Sequence, residues 1–191
     1  MSDRRVGRLL TASLHASIAE LLPTRLEFYE GWLSPRQLRD GQIGLAPLVA
    51  VLSFLREEGA DYSRVVTRAG ECAAEWYVAE LSPARQALYR AAPEFLRRQL
   101  AAGIARGLVR STFGGSRVSC RWHKGVVSMR VYGSVFCSVQ KTSDQPLCEF
   151  YAGALRGVMV AYSLSGDAVV TQCVATGAPD CVIVVEPKPA S

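Results

Sequence analysis

Three cysteines in the last quarter of the chain, Cys148, Cys173 and Cys181, are the residues best suited to chemistry. Cys148 stands just before a run of small and apolar residues at helical spacing, which predicts an amphipathic helix. Cys173 and Cys181 stand on either side of turn-forming residues at 176–180, with β-branched stretches beyond them, which predicts two facing strands of a hairpin. Residues placed symmetrically about such a turn have Cβ atoms about 4.5–5.5 Å apart, which suits two ligands of one zinc ion and also permits a disulfide. The three thiols therefore predict a metal site, a disulfide store or a group of core residues.

The pattern around these cysteines resembles the 4-vinyl reductase-type domain, a hydrocarbon-binding family. In that pattern a cysteine precedes a Tyr-x-x-Gly-x-x-x-Gly helix, and a strand then leads to Cys-x7-Cys with Gly-x-x-x-Cys inside it. A strand leading to Ser-x-Phe before the helix, here Ser134 and Phe136, agrees with the family as well. The residues that carry the main pattern are Cys148, Tyr151, Gly153 or Ala154, Gly157, Cys173, Gly177 and Cys181.

The resemblance carries expectations about fold and function. The family is related in fold to the TRAPP vesicle-tethering subunits and to haem nitric-oxide-binding domains, and its members are mostly small-molecule or hydrocarbon-binding modules, some of which sense phenols. It therefore implies a non-enzymatic regulatory module that binds a small hydrophobic ligand and forms a homodimer through its helices. An adaptor of the TRAPP type, acting through a protein partner, is the alternative, and an enzyme of tetrapyrrole or aromatic metabolism is a further one.

A zinc ion is the cofactor that the resemblance implies. The phenol sensors hold zinc with three cysteines and one glutamate, so the three cysteines named above are the implied ligands here. The glutamate lies three residues before the second cysteine, and this chain has Val170 at that position. Because valine cannot coordinate a metal, Glu149, Cys137 or water would have to supply the fourth ligand.

Few residues suggest catalysis. One histidine, His15, lies among apolar neighbours of the first predicted helix, which favours a structural role, and the other, His123, lies in a predicted turn. Motifs of nucleophile elbows, phosphate-binding loops and helical zinc-protease sites do not occur in the sequence. The sequence therefore favours a binding protein over an enzyme and predicts no catalytic residue.

A ligand pocket would draw on aromatic residues of the helical part, the first hairpin and the cysteine helix. Each of them is also suited to an ordinary core position, because large aromatic side chains dominate protein interiors. The candidates for the pocket wall are Phe54, Trp76, Tyr77, Tyr89, Phe95, Trp122 and Tyr151.

The elements that must position these residues are helices first and a sheet afterwards. Apolar spacing and capping residues predict helices over 5–22, over 45–56, from 61 or 63 to about 80, from Ser82-Pro83 to Pro93, and from there to Gly107. The period then changes to about two, and residues 118–122 and 126–132 predict a hairpin. The predicted fold class is α+β, with N-terminal helices packed on one face of an antiparallel sheet and a helix before the last hairpin, which is the arrangement the resemblance to TRAPP subunits implies.

Length and composition fit a single domain over residues 1–191. A content of 49% hydrophobic and 20% charged residues excludes a disordered chain, and no apolar run approaches the roughly 20 residues that span a bilayer. The domain divides into a mainly helical part at 5–108, the sheet with the cysteine helix at 109–187, and a tail at 188–191. The N-terminus shows no export signal, which predicts a cytoplasmic protein with reduced cysteines.

The net charge of +5 is spread along the chain. Arg97, Arg98, Arg106 and Arg110 fall at intervals rather than in one block, and no recognition helix or ladder of exposed aromatic residues accompanies them. These features predict solvated helix faces and no nucleic-acid binding. An acidic partner domain or an anionic membrane surface is the alternative use of the charge.

Overall fold

A computed structural model describes residues 6–33, 44–123, 126–138 and 143–186. Seven α-helices and four β-strands occur in this part of the chain. The helices are α1 (Arg8–Leu21), α2 (Leu26–Glu30), α3 (Leu45–Glu57), α4 (Ala60–Ala79), α5 (Pro83–Ala91), α6 (Glu94–Thr112) and α7 (Glu149–Ala161). The strands are β1 (Arg117–His123), β2 (Val126–Tyr132), β3 (Asp167–Gln172) and β4 (Cys181–Glu186), and 3-10 turns span Pro23–Arg25, Val135–Cys137 and Val174–Thr176.

The helix boundaries follow the predicted signals at most positions. Gly59 separates α3 from α4 with a φ angle of 65°, a left-handed conformation that glycine adopts without strain. Ser82 caps α5 by accepting a hydrogen bond from the backbone N–H of Arg85, and Pro83 opens the helix as expected. The predicted end of α6 at Gly107 is wrong, because the helix continues to Thr112. Glycine weakens a helix without stopping it, and Gly107 here makes room for the hydroxyl of Tyr77.

The four strands form one antiparallel sheet in the order β1-β2-β4-β3. The predicted first hairpin is present, with Arg117 opposite Tyr132 and His123 opposite Val126. Helices α6 and α7 pack on the sheet, α4 packs on α7, and α1 packs on α4. The predicted α+β class is therefore confirmed, including the helix before the last pair of strands. The predicted tail at 188–191 lies outside the described residues.

The interface between α4 and α7 is the most extensive contact between two helices, and glycine makes it close. A Cβ atom at Gly70 of α4 would collide with the carbonyl oxygen of Phe150, and one at Gly153 of α7 would collide with the carbonyl oxygen of Thr67. Gly157 lies in the same way against Ala74, where an added Cβ would come within 2.7 Å of the alanine Cβ. The small residues of α7 thus serve direct backbone contact with α4.

The core fills the space between the sheet and these helices. Along β2, Val127, Met129 and Val131 are buried under the helices, whereas Arg130 and Tyr132 face away from them. This alternation is what a strand with one covered face requires. None of the helices in the described ranges is long and apolar enough to cross a membrane.

Candidate metal centre and ligand cleft

Four cysteines converge where the sheet meets the start of α7. Cys137 ends the 3-10 turn that follows β2, and Cys148 is the N-cap residue of α7. Cys173 directly follows β3, and Cys181 begins β4, where it pairs with Val131 of β2. The inner strand β4 and three irregular segments thus supply one thiol each.

The sulfur atoms lie close enough to share one ion. All four Sγ atoms lie within 4.8 Å of one another. Sγ of Cys173 lies 3.4 Å from both Sγ of Cys137 and Sγ of Cys148, and Sγ of Cys137 lies 3.5 Å from Sγ of Cys181. Zinc bound by four thiolates at about 2.3 Å places its sulfur atoms about 3.8 Å apart. The cluster therefore has the donor type, number and spacing of a tetrahedral thiolate site.

Of the three predicted sources of a fourth ligand, the structure brings Cys137 to the other thiols. Val170 lies on β3, and its side chain has no atom that can bind a metal. The carboxylate of Glu149 instead accepts a hydrogen bond from the hydroxyl of Ser63 on α4. The three cysteines predicted as ligands thus lie together, and Cys137 joins them as a fourth.

The predicted facing-strand geometry of Cys173 and Cys181 needs a correction. The last paired residue of β3 is Gln172, opposite Val182, so Cys173 lies outside the strand. The chain then makes a 3-10 turn in which the N–H groups of Thr176 and Ala178 both donate to the carbonyl oxygen of Cys173, each at 3.1 Å. The turn brings the thiol of Cys173 back to that of Cys181.

Hydrogen bonding within the cluster shifts the pKa values of its thiols in different directions. Bonds with Cys137, and then with Cys148, hold the pKa of Cys173 below its ordinary value. Bonds with Cys137, and then with Cys173, raise the pKa of Cys148, and burial adds to the rise. The backbone N–H of Leu147 also donates to Sγ of Cys173 at 3.4 Å, which favours a thiolate there.

Side chains of the α3–α4 region hold the backbone beside two of the cysteines. The guanidinium of Arg56 donates to the carbonyl oxygen of Phe136, the residue before Cys137. The hydroxyl of Tyr62 donates to the carbonyl oxygen of Leu147, the residue before Cys148, at 2.7 Å. These bonds orient the chain on both sides of the cluster, as the groups around metal ligands usually do.

The aromatic residues predicted for the pocket wall lie in separate surroundings. Phe54 contacts Phe28 edge to face and Trp32 at a tilt near the surface, and Trp76 and Phe95 are exposed. Tyr151 is fully buried next to the cysteines, and its ring meets those of Phe136 and Phe150 edge to face. The remaining three candidates, Tyr77, Tyr89 and Trp122, are half-buried against the core. Their role in ligand binding stays a prediction.

An apolar cleft lies between α5 and α6. It has a volume of about 490 Å³ and is lined by Leu88, Tyr89, Ala91, Ala92, Pro93, Leu96, Gln99 and Leu100. Gln99 is the one amide side chain in this lining, and the hydroxyl of Tyr89 accepts a hydrogen bond from Arg85 at 3.2 Å. Tyr89 is thus a predicted pocket residue that the structure places at a cleft.

The other candidates for chemistry have structural surroundings. His15 forms a hydrogen bond of 2.9 Å with the carboxylate of Glu30, which agrees with the predicted structural role. Cys72 is buried on α4 and Cys120 is half-buried on β1, both apart from the cysteine cluster. The side chain of His123 lies outside the described part of the structure.

Comparison with known proteins identifies the segment that carries the cluster. Residues 127–187 match the family model of the V4R domain. This V4R segment contains all four cysteines of the cluster, and the match confirms the predicted resemblance to the 4-vinyl reductase-type domain. No curated protein sequence matches the chain.

Solved structures share the fold over most of the chain. The phenol-responsive sensory domain of the transcription activator PoxR, solved with phenol, is 17% identical over 75% of this chain and 74% of that chain, with a TM-score of 0.51. An H-NOX protein from S. oneidensis in the Fe(II)NO state is 12% identical over 95% and 99% of the two chains, with a TM-score of 0.60. The SO2144 H-NOX domain from Shewanella oneidensis in the Fe(II)CO state is 13% identical over 97% and 99%, with a TM-score of 0.59. At these identities the likeness shows a shared fold.

Proposed function

We propose that this protein is a non-enzymatic regulatory module that binds a small hydrophobic ligand. The apolar cleft between α5 and α6 is the observation that carries this function. The match of the V4R segment, and the shared fold with a sensory domain that responds to phenol, support it from outside the chain.

The cleft suits a ligand with an apolar body and a single polar group. Its volume of about 490 Å³ falls within the range of small-molecule sites, about 300–1,000 Å³. Leu96 and Leu100, one helical turn apart on α6, give it an apolar wall, while Tyr89 and Gln99 offer a hydroxyl and an amide. We propose the cleft as the main ligand site, and we keep the other predicted aromatic residues as candidates for a ligand that reaches further into the molecule.

We also propose that the cysteine cluster holds one zinc ion with a structural role. Bound zinc would supply a redox-inert tetrahedral cross-link, held by Cys137, Cys148, Cys173 and Cys181. The four thiols lie close enough to share one ion, and the predicted cytoplasmic location would keep them reduced. The cross-link would fix the start of α7 to β4 and to the turn after β3.

Ligand titration of the purified protein tests the first proposal. Isothermal titration and thermal shift with phenol, longer alkylphenols and a fatty acid should show binding of at least one compound. Leu96→Gln and Leu100→Gln should weaken that binding at least about tenfold, because each puts an amide into an apolar wall. Val160→Gln, at an exposed position of α7, is the matched control and should bind as the parent does. Equal affinity in all variants would remove the cleft as the site, and no binding by any compound would remove the function.

Metal analysis tests the second proposal separately. Protein purified without chelator should contain one zinc ion per chain by native mass spectrometry and elemental analysis. Cys173→Ser should abolish this stoichiometry, whereas Cys72→Ser, at a buried cysteine apart from the cluster, should leave it unchanged. A zinc content near zero in the parent protein would contradict the proposal.

An interaction protein is the second candidate function, and two side chains favour it. Leu88 on α5 and Phe95 on α6 are 67% and 63% exposed, and both belong to the helix pair that also forms the apolar cleft. Contiguous exposed apolar surface of this kind marks many protein–protein contact sites. We propose that Leu88 and Phe95 contribute to the predicted homodimer or to a protein partner. Light scattering should then find a dimer that Leu88→Ser with Phe95→Ser converts to a monomer. A parent protein that is monomeric, and that binds no protein through this surface, would leave ligand binding as the better function.

A further inference from the structure

Arginines that lie far apart in the sequence come together around β1. The guanidinium of Arg98 on α6 lies over the ring of Trp122, 5.0 Å from its centroid. Arg106 and Arg110 lie further along α6, the helix that packs on β1. In agreement with this packing, burial raises the pKa of the Cys120 thiol on β1, while the guanidinium of Arg106, and less strongly that of Arg110, lowers it. One face of α6 therefore presents a row of positive charge along the inner side of β1.

A second row of positive charge lies on the outer side of the same strand. Arg117 and Arg121 are both exposed, and their spacing of four residues places them on the same face, away from the helices. The strand register puts Arg130 of β2 opposite Ser119, between these two arginines. Arg130 is neutralised by Asp180, whose carboxylate lies 3.2 Å away.

Most of this charge has no acidic partner among the described residues. Arg98 pairs with Glu94 of its own helix. Within the described ranges no carboxylate lies within ion-pair distance of Arg106, Arg110, Arg117 or Arg121. Four uncompensated guanidinium groups around one strand create a local field that attracts acidic groups.

The strand between the two rows is an edge of the sheet. β1 pairs with β2 on one side and with no described strand on the other. An edge strand leaves alternate N–H and C=O groups free to pair with another extended chain. A depression of about 360 Å³, lined by Arg117, Val118, Ser119 and Tyr132, lies at the start of this strand.

We propose that the β1 edge binds an acidic, extended segment of a protein partner by strand addition. Side chains of an added strand alternate between the two faces of the sheet. Acidic residues on one face would meet Arg117 and Arg121, and those on the other would meet Arg106 and Arg110. A strand with acidic residues at most positions would satisfy both rows at once.

The aromatic residues near β1 favour a protein over a nucleic acid as the binding partner. Single-stranded nucleic acids bind to positively charged surfaces that also offer several free aromatic faces for stacking. Here the ring of Trp122 is already covered by Arg98, and Tyr132 is the one exposed aromatic side chain of β1 and β2 in the part of the chain that the structure describes. The free backbone of an edge strand is complementary to another peptide strand.

Binding of a fluorescent octapeptide to the protein of residues 1–191 tests the proposal. The peptide has glutamate at six positions and valine at its two central positions, so that an added strand carries glutamates on both of its faces. Fluorescence anisotropy should show saturable binding that weakens as salt increases. Arg117→Glu with Arg121→Glu, and Arg106→Glu with Arg110→Glu, should each weaken binding at least about tenfold, since each pair replaces attraction by repulsion. Arg64→Glu with Arg90→Glu changes the net charge equally at exposed positions of α4 and α5 and should have less than about a threefold effect.

A second peptide separates strand addition from general attraction. The same octapeptide, N-methylated at alternate residues on the edge that would pair with β1, keeps its charge but cannot form the ladder and should bind at least about tenfold more weakly. Equal binding of the methylated and unmethylated peptides would overturn strand addition. A loss of binding in the control double variant as large as that in the two site double variants would overturn the site. Tighter binding of single-stranded RNA or of phosphatidylserine vesicles than of the peptide would overturn a protein as the partner.

Discussion

The hydroxyl of Tyr62 donates a hydrogen bond of 2.7 Å to the carbonyl oxygen of Leu147, the residue before Cys148. Arg56, six positions earlier in the chain, makes the equivalent bond to the residue before Cys137. The junction of α3 and α4 therefore holds both of the irregular segments that supply thiols to the cluster. Secondary structure fixes Cys181 through the β4–β2 pairing, whereas these two segments depend on side-chain bonds.

We expect Tyr62→Phe to lower both the stability of the protein and the zinc affinity of the cysteine cluster. The change leaves the carbonyl of Leu147 buried without this donor, which costs about 1–3 kcal/mol of unfolding free energy. Urea unfolding of the zinc-loaded protein measures the loss, and competition with a chromogenic chelator measures zinc affinity, which should fall about tenfold.

Tyr132→Phe is the matched control for this change. Tyr132 is 39% exposed on the outer face of the sheet, so removal of its hydroxyl should cost less than about 0.5 kcal/mol. Equal effects of the two substitutions would show that the bond from Tyr62 does not support the centre.

A comparison of Cys137→Ser with Glu149→Gln should identify the fourth ligand. The serine variant should bind zinc at least about tenfold more weakly, because a hydroxyl is a poor replacement for a thiolate. The glutamine variant should keep its affinity, because the carboxylate of Glu149 contacts Ser63 rather than the sulfur atoms. Cobalt substitution offers an independent measurement, since the ligand-to-metal charge-transfer intensity of the Co²⁺ complex should fall by about a quarter only in Cys137→Ser. A loss confined to Glu149→Gln would contradict this assignment.

The close contact of α4 with α7 predicts a large penalty for one methyl group. Gly70→Ala should destabilise the protein by at least about 2 kcal/mol, because its Cβ would meet the backbone of Phe150 and not a flexible side chain. Gly103→Ala on α6 is the control, with open space around the added Cβ, and should stabilise by about 0.5–1 kcal/mol through helix propensity. Thermal and urea unfolding measure both changes, and a neutral Gly70→Ala would show that the two helices can separate at little cost.

The stability of the metal-free protein should fall as the pH rises above about 8.5, the ordinary pKa of a thiol. Burial raises the pKa of Cys72 and of Cys120, and hydrogen bonds within the cluster raise that of Cys148. A raised folded-state pKa gives stability that is complete below the unfolded pKa and is lost as the pH rises toward the folded value. The lowered pKa of Cys173 acts in the opposite sense, but its contribution is already complete above the unfolded pKa.

Zinc should reverse this dependence, because it binds thiolates and is displaced by protons. The loaded protein should lose zinc and stability as the pH falls from about 7 to about 5. Melting temperatures measured against pH, with zinc and with a chelator, compare the two forms. Curves of the same slope in both conditions would show that the cluster carries no metal.

The cysteine cluster was predictable in part. The motif identified Cys148, Cys173 and Cys181, and the turn residues between the last two required the chain to reverse there. Cys137 could be proposed only as one of several fourth ligands, because it lies in an irregular segment that follows no periodicity. Its position depends on the bond from Arg56 to the neighbouring carbonyl, a contact between residues 80 positions apart that no local pattern reveals.

The spatial positions of the arginines and of the large aromatic residues could not be predicted from the sequence. The arginines of α6 looked scattered because their relation to β1 depends on how the helix packs on the sheet. Large aromatic residues predicted as one pocket wall instead occupy different places, since helical periodicity tells which face is apolar but not which element covers it. Tyr151 shows the limit well: its fully buried ring contacts Phe136 and Phe150, which belong to the interior beside the cysteines.

Because α4 and α7 touch backbone to backbone at Gly70 and Gly153, there is no layer of compressible side chains between them. The two helices should therefore move as one rigid unit. The turn at Gly59 directly precedes α4, and Cys148 directly precedes α7. A displacement of the Gly59 turn by a bound molecule would therefore shift α4 and α7 together and move the sulfur atoms of the cluster. Local repacking of side chains between the two helices would not absorb it.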